Sequence, residues 1–211
     1  MFAKFRAFFL PALLAFLVGG VAHADELAPP VQVVRSLTES VMDAVRSDPT
    51  LKAGDQAKIE QLVQTRVLPY LDFQRMTASA VGPAWRRATP QQREELQDQF
   101  KQLLIHTYSG AIGRIKNQQV QYLPLRAAPH ATSVVVRTRV LDNGEQVQLD
   151  YRLLEQGKDW KISDVNVMGV WLVDNYRGVF AQEINSKGID GLIGVLKQRN
   201  QELAKGGRQE P

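Results

Sequence analysis

The sequence predicts an α+β domain, a four-stranded antiparallel meander packed by helices from both ends of the chain. Three observations predict it. Apolar residues recur at helical spacing from Val34 to Tyr70 and again from Leu96 to Ile115. From Gln119 to Ile162 the period changes to two, and after Val170 the helical period returns.

Val34, Leu37, Val41, Ala44 and Val45 mark a first helix; Ile59, Leu62, Val63, Val67 and Tyr70 mark a second beyond the Gly54-Asp55 break, with Pro69 near its end. Asp72 caps a short third helix through Val81, stopped by Gly82-Pro83. The longest helix follows. Thr89 caps it, Pro90 takes the first helical position, Gln92 closes a capping box, and Glu94 and Glu95 suit the positive end of the dipole. Its stripe of Leu96, Phe100, Leu103, Leu104, Tyr108, Ala111, Ile112 and Ile115 persists over about five turns and makes it a main wall of the core.

A strand around Gln119 to Leu125 opens the meander. Val134, Val136 and Val140 alternate with Arg137 and Arg139; Asn143-Gly144 gives a type I′ turn; Val147, Leu149, Tyr151 and Leu153 alternate with Gln148, Asp150 and Arg152. A turn at Gln156-Gly157 leads to Trp160, Ile162 and a strand end at Val167. One face is apolar and one wet, which puts Asp150 in solvent. A helix from about Val170 to Ile184 gathers Met168, Leu172, Val173, Tyr176, Val179, Phe180 and Ile184 on one half of its wheel, with Trp171 outside that arc. A last short helix turns Ile189, Leu192, Ile193 and Leu196 inward.

Lys4 and Arg6 precede the apolar run FFLPALLAFLVGGVA, and Ala22-His23-Ala24 closes it with a small-x-small signature. Residues 1–24 are therefore read as a secretory signal cleaved after Ala24, 25–204 as one domain and 205–211 as a polar tail. Cysteine is absent, which excludes disulfides and a thiol-linked lipid anchor. Loss of Lys4 and Arg6 halves the formal net charge of +4, and no polybasic or aromatic-basic motif argues for nucleic acid as a partner.

Beyond the signal only His106 and His130 remain as histidines, too few for a zinc site without cysteine. No nucleophile elbow and no phosphate-cradling glycine loop occurs. His106 and Tyr108, two apart on a helix, point to different faces. No catalytic residue is assigned, and the expectation is a protein that is not an enzyme. A regular row of Phe100, Tyr108, Leu149 and Trp171 is by default a filled core, because interiors are close-packed. Periodicity alone leaves open a carrier, a small-molecule enzyme on a curved-sheet scaffold, and an adaptor with a solid core.

Two stretches carry a resemblance: LPYLDFQRMTASAVGPAWRRATPQQREELQDQFKQLLIHTYSGAI, Leu68 to Ile112, and VMGVWLVDNYRGVFAQEINSKGIDGLIGVLK, Val167 to Lys197. Both are similar to the MlaC family, also called the toluene-tolerance family, of periplasmic phospholipid carriers. Its specific points are LPY at 68–70, W-x-x-ATP-x-QR from Trp85 to Arg93, TYSGA at 107–111 and KGIDGL from Lys187 to Leu192. The resemblance implies a curved antiparallel sheet and helices around an apolar cavity that takes acyl chains. It implies a periplasmic monomer of Gram-negative bacteria with a carried phospholipid and no cofactor or metal, maintaining outer-membrane lipid asymmetry. The implied partners are an inner-membrane ABC transporter complex with its periplasmic lipid-binding subunit and an outer-membrane lipoprotein-porin complex.

On that reading the inward residues Phe100, Leu103, Leu104, Tyr108, Val134, Val136, Leu149, Tyr151, Trp171 and Tyr176 line the lipid site. Arg86 and Arg87 are candidates for docking, and Arg137 and Arg139 for an anionic head group.

Overall fold

Period-two alternation places the strands well but undercounts them. A computed structural model describes residues 28–115, 118–142 and 144–206; the expected signal segment, Asn143 of the expected type I′ turn and residues 207–211 of the expected tail lie outside the described residues. The sheet has five antiparallel strands in sequence order: β1 (Gln119–Tyr122), β2 (Ser133–Asp142), β3 (Glu145–Gln156), β4 (Asp159–Val167) and β5 (Val170–Trp171). The extra strand arises because Met168 (φ +49°) and Gly169 (φ +93°) make a two-residue turn, in which the Gly169 N–H donates to Asn166 Oδ1 at 2.8 Å. The helix expected from Val170 therefore starts at Leu172.

Register fixes the faces. Val136, Tyr151 and Val165 align across β2, β3 and β4, as do Thr138, Leu149 and Val167, while Val120 and Tyr122 of β1 pair with Val140 and Thr138. Arg152 pairs with Asp164 but Leu153 with Ile162, so Ser163 is an extra residue that keeps Ile162 and Val165 on one face and bends the strand.

Helix α1 (Pro29–Ser47) crosses that inner face: Val31, Val34 and Leu37 are buried with Val134, Val136, Leu153 and Ile162. Its far end leads into a second cluster, Val45 with Leu51 of α2 (Pro49–Lys52), Ile59 and Leu62 of α3 (Gln56–Leu62), and Ile105. The second predicted helix does not stay regular. After α3 the chain runs through a π turn at Val63–Val67 and a 3-10 turn at Leu68–Tyr70, which carries Pro69. Asp72 caps α4 (Phe73–Val81) by accepting from the Arg75 N–H at 3.0 Å, as its position predicts.

Helix α5 (Pro90–Gly113) begins with the predicted capping box: the Gln92 N–H donates to Thr89 Oγ1 at 3.1 Å, and the Thr89 N–H donates to Gln92 Oε1 at 3.0 Å. Helix α6 (Leu172–Ala204) unites the two predicted C-terminal helices, bent at Gly188 (φ +71°, ψ −174°). A third cluster joins α4, α5 and α6 through Met76, Leu96, Phe100, Val173, Phe180 and Leu192. Not all of the predicted arc on α6 is buried: Val179 is 53% exposed, and Met168, in the turn, is 70% exposed. No helix among the described residues is long and apolar enough to cross a membrane.

Candidate functional site

A domain of this size ordinarily closes around one contiguous core. Here the buried apolar residues fall into three clusters: beneath α1 on the sheet, around α3, and among α4, α5 and α6. Leu71 touches the first and third, and Val41 the first and second. The long helix α5 packs chiefly on α2, α3, α4 and α6.

The inner face of the sheet thus continues past its sealed part. Val140, Val147, Leu149 and Val167 lie on the same face as Val136 and Tyr151, yet all four are half-buried and join no cluster. On the helices Leu104, Tyr108 and Tyr176 are likewise half-buried. Burial raises the phenol pKa of Tyr108, with Tyr176 adding to the rise; burial also raises that of Tyr176, against a hydrogen bond with Thr107. Two half-buried apolar surfaces, one on β2 to β4 and one on α5 and α6, therefore sit beside closed cores.

The predicted lining sorts accordingly. Leu104, Tyr108, Leu149, Tyr151 and Tyr176 belong to these half-buried surfaces. Phe100 and Leu103 are sealed in the helical cluster, where the Phe100 ring lies 5.0 Å from Tyr176 and 5.2 Å from Phe180. Val134 and Val136 are sealed under α1. Trp171 is elsewhere. Its ring lies 4.3 Å from the Arg152 guanidinium, and Arg152 alternates with Tyr151 on β3, so this indole covers the opposite face of the sheet. That position agrees with its place outside the apolar arc of the wheel.

Asp150 also departs from expectation, at 6% exposed. It does lie on the outer face, but Arg137 and Asn166 flank it in register and Gln148 Nε2 donates to its Oδ2 at 2.8 Å, so long neighbouring side chains shield it. Arg86, Arg87, Arg137 and Arg139 are exposed. No group of three or more His, Cys, Asp or Glu among the described residues is placed to hold a metal.

Periodicity missed a set of hydroxyls on the inner face. Thr38 Oγ1 donates to the Val34 carbonyl and Thr138 Oγ1 to the Leu149 carbonyl, each at 2.8 Å, and both hydroxyls lie near the Tyr151 phenol. Burial pushes the Tyr151 phenol up to about 12, with Tyr122 adding to the rise and the two threonines opposing it. The one legible signal was Thr138, a hydroxyl in a row of valines.

Two grooves run on the outside between α5 and α6. The larger, about 430 Å³, is lined by Thr89, Gln92, Glu95, Asp190 and Lys197. It is bridged by Gln92 Nε2 to Asp190 Oδ1 at 2.7 Å and by Lys197 Nζ to Glu95 Oε1 at 2.6 Å. Open and polar, it is no place for acyl chains.

Helices laid over one face of a five-stranded antiparallel sheet, with half-buried apolar surfaces beside closed cores, define the class: an α+β protein. The family described as MlaC protein matches residues 35–198, and the chain belongs to that family. It is 22% identical over 190 residues, 88% of each chain, to the intermembrane phospholipid transport system binding protein MlaC of Haemophilus influenzae. It is 26% identical over 181 residues to the toluene tolerance protein ttg2D of Pseudomonas putida, covering 82% of this chain and 83% of that one. A solved structure, the phospholipid-binding protein from Ralstonia solanacearum in complex with a phospholipid, is similar at a TM-score of 0.81 and 42% identity, over 84% of this chain and 99% of the other.

Proposed function

We propose that this protein is a periplasmic phospholipid carrier, which holds acyl chains between sheet and helices and shuttles lipid between the outer membrane and an inner-membrane ABC transporter. The observation that carries this is the row Val140, Val147, Leu149 and Val167, apolar, on the inner face and left half-buried by every core cluster. The likeness to a protein in complex with a phospholipid supports it.

The physics gives that row its meaning. At about 0.8 kcal/mol per methylene, exposing two acyl chains with roughly thirty methylenes costs on the order of 20 kcal/mol, so lipid does not cross water unaided. A carrier supplies an apolar surface that takes the place of the bilayer. Its own affinity gives no direction, since a surface that holds lipid tightly releases it slowly. Release therefore belongs to docking partners at both membranes: the transporter with its periplasmic lipid-binding subunit and the outer-membrane lipoprotein-porin complex. No catalytic step and no cofactor is needed.

Native mass spectrometry of the protein taken from a Gram-negative periplasm tests the reading. Complexes with one phospholipid mass are expected; apo protein alone, under conditions that preserve a known lipid complex, overturns it.

A further inference from the structure

We propose that Arg35 is the anchor for the phosphate of the carried lipid, at the edge of the sheet where α1 meets β1. The proposal rests on the carrier reading above and names a polar subsite for it. Arg35 lies with its guanidinium carbon 4.9 Å from the ring centroid of Tyr122, the last residue of the edge strand β1. Its Nε is buried, and among the described residues it has no hydrogen-bond partner and Arg35 forms no ion pair. That is unusual in this molecule. Every other half-buried arginine or lysine among the described residues has a polar partner: Arg93 the carbonyls of Trp85 and Arg86, Lys101 Asp98, Arg152 Asp164, Lys161 the Pro69 carbonyl, and Arg199 Glu202.

A half-buried cation with an orphaned N–H is costly unless an anion completes it. Position selects the anion. Arg35 is flanked on α1 by Val34 and Leu37, both buried on the inner face, and by Thr38, whose hydroxyl donates to the Val34 carbonyl at 2.8 Å and lies near the Tyr122 and Tyr151 phenols. A string of polar groups thus runs from the cation at the sheet edge to a hydroxyl within the apolar face. An amphiphile whose tails lie on that face and whose charge stops at its rim matches this order. Glu39 lies one turn along α1 from Arg35, and its carboxylate repels a doubly charged free phosphate more than a singly charged phosphodiester. A guanidinium offers that group a planar fork of donors.

The test uses the full mature chain, delipidated and reloaded, with two ligands of identical tails: dioleoylphosphatidylglycerol, and dioleoylglycerol, which lacks the phosphate. The wild type is expected to bind the phospholipid about tenfold more tightly. Arg35→Gln is expected to bring the ratio to about one while leaving dioleoylglycerol affinity unchanged, which also reports an intact fold. Arg35→Lys, with charge but no fork, is expected to fall between. An unchanged ratio in Arg35→Gln overturns the proposal. So does inorganic phosphate that binds the wild type through Arg35 as tightly as the phospholipid does, which makes the site one for free phosphate. Failure of the wild type to bind either lipid overturns the carrier reading itself and is distinct from both.

Discussion

Asp164 on β4 caps the helix that begins at Leu172: the Val173 N–H donates to Asp164 Oδ1 at 3.0 Å, and the same oxygen accepts from the Val165 N–H at 2.8 Å. Trp171, at the cap position itself, has no side-chain acceptor to offer, so the sheet supplies one. Asp164 is 1% exposed and its Oδ2 accepts from Arg152 Nη1 at 3.2 Å. Asp164→Ala leaves the buried Val173 N–H unpaired and is expected to destabilise the fold by about 2–3 kcal/mol, most of it from the cap and little from the partly exposed Arg152. Asp164→Asn, which keeps an acceptor, is expected to lose less than half of that. Urea unfolding of the two variants checks the order.

Gly188 divides α6 at φ +71° and ψ −174°, a conformation in which almost only glycine is found. A methyl group there meets nothing within 4 Å, so any cost of Gly188→Ala is backbone strain alone. We expect a loss of about 1–3 kcal/mol. Alanine at Gly194, on the same helix with negative φ and equally open space, is expected to stabilise slightly. Thermal unfolding of the pair reads the sign.

Local chemistry explains what was legible in the sequence. The Thr89 capping box, the Asp72 cap and the alternation along β2 and β3 each depend on residues close along the chain, and each stands as read. What lay hidden depends on contacts across the fold. A methionine at φ +49° gives no turn signal, so the periodicity alone reads β5 as the start of a helix. Alternation shows which face Asp150 occupies but not whether its neighbours cover it. Helical and strand spacing puts Leu104, Tyr108, Leu149, Tyr151 and Tyr176 on the apolar faces; that they stay half-buried while Phe100 is sealed depends on how separate elements meet, which spacing along the chain does not carry. Trp171 over Arg152 joins two residues whose proximity no period predicts.

The Tyr151 phenol gives the fold a dependence on base. Burial raises its pKa from 10.0 to about 12. Between those values the unfolded chain has lost the proton and the folded chain has kept it. Stability is therefore full below pH 10 and falls as pH rises, by about 1.4 kcal/mol per unit until the folded phenol ionises. Tyr151→Phe is expected to flatten that decline and to leave stability at neutral pH within about 1 kcal/mol of the wild type. Denaturant midpoints measured at neutral pH and between pH 10 and 12 separate the two effects.

Leu149 is where a charge should damage cargo binding more than the fold. It pairs with Thr138 and Val167 on the inner face, is half-buried and belongs to no sealed cluster. In Leu149→Arg the long side chain can carry its guanidinium to water in the empty protein, so the loss of stability is expected to stay near 1–2 kcal/mol. With acyl chains beside it that escape closes, and a cation against hydrocarbon costs at least about 2 kcal/mol more. Phospholipid occupancy of the purified variant is therefore expected to fall at least about tenfold while its unfolding stays cooperative. Val134→Arg makes the contrast: Val134 is sealed beneath α1 and its replacement is expected to unfold the domain. Lipid extraction beside circular dichroism distinguishes the two, and wild-type occupancy in a folded Leu149→Arg protein would place the acyl chains somewhere other than this face.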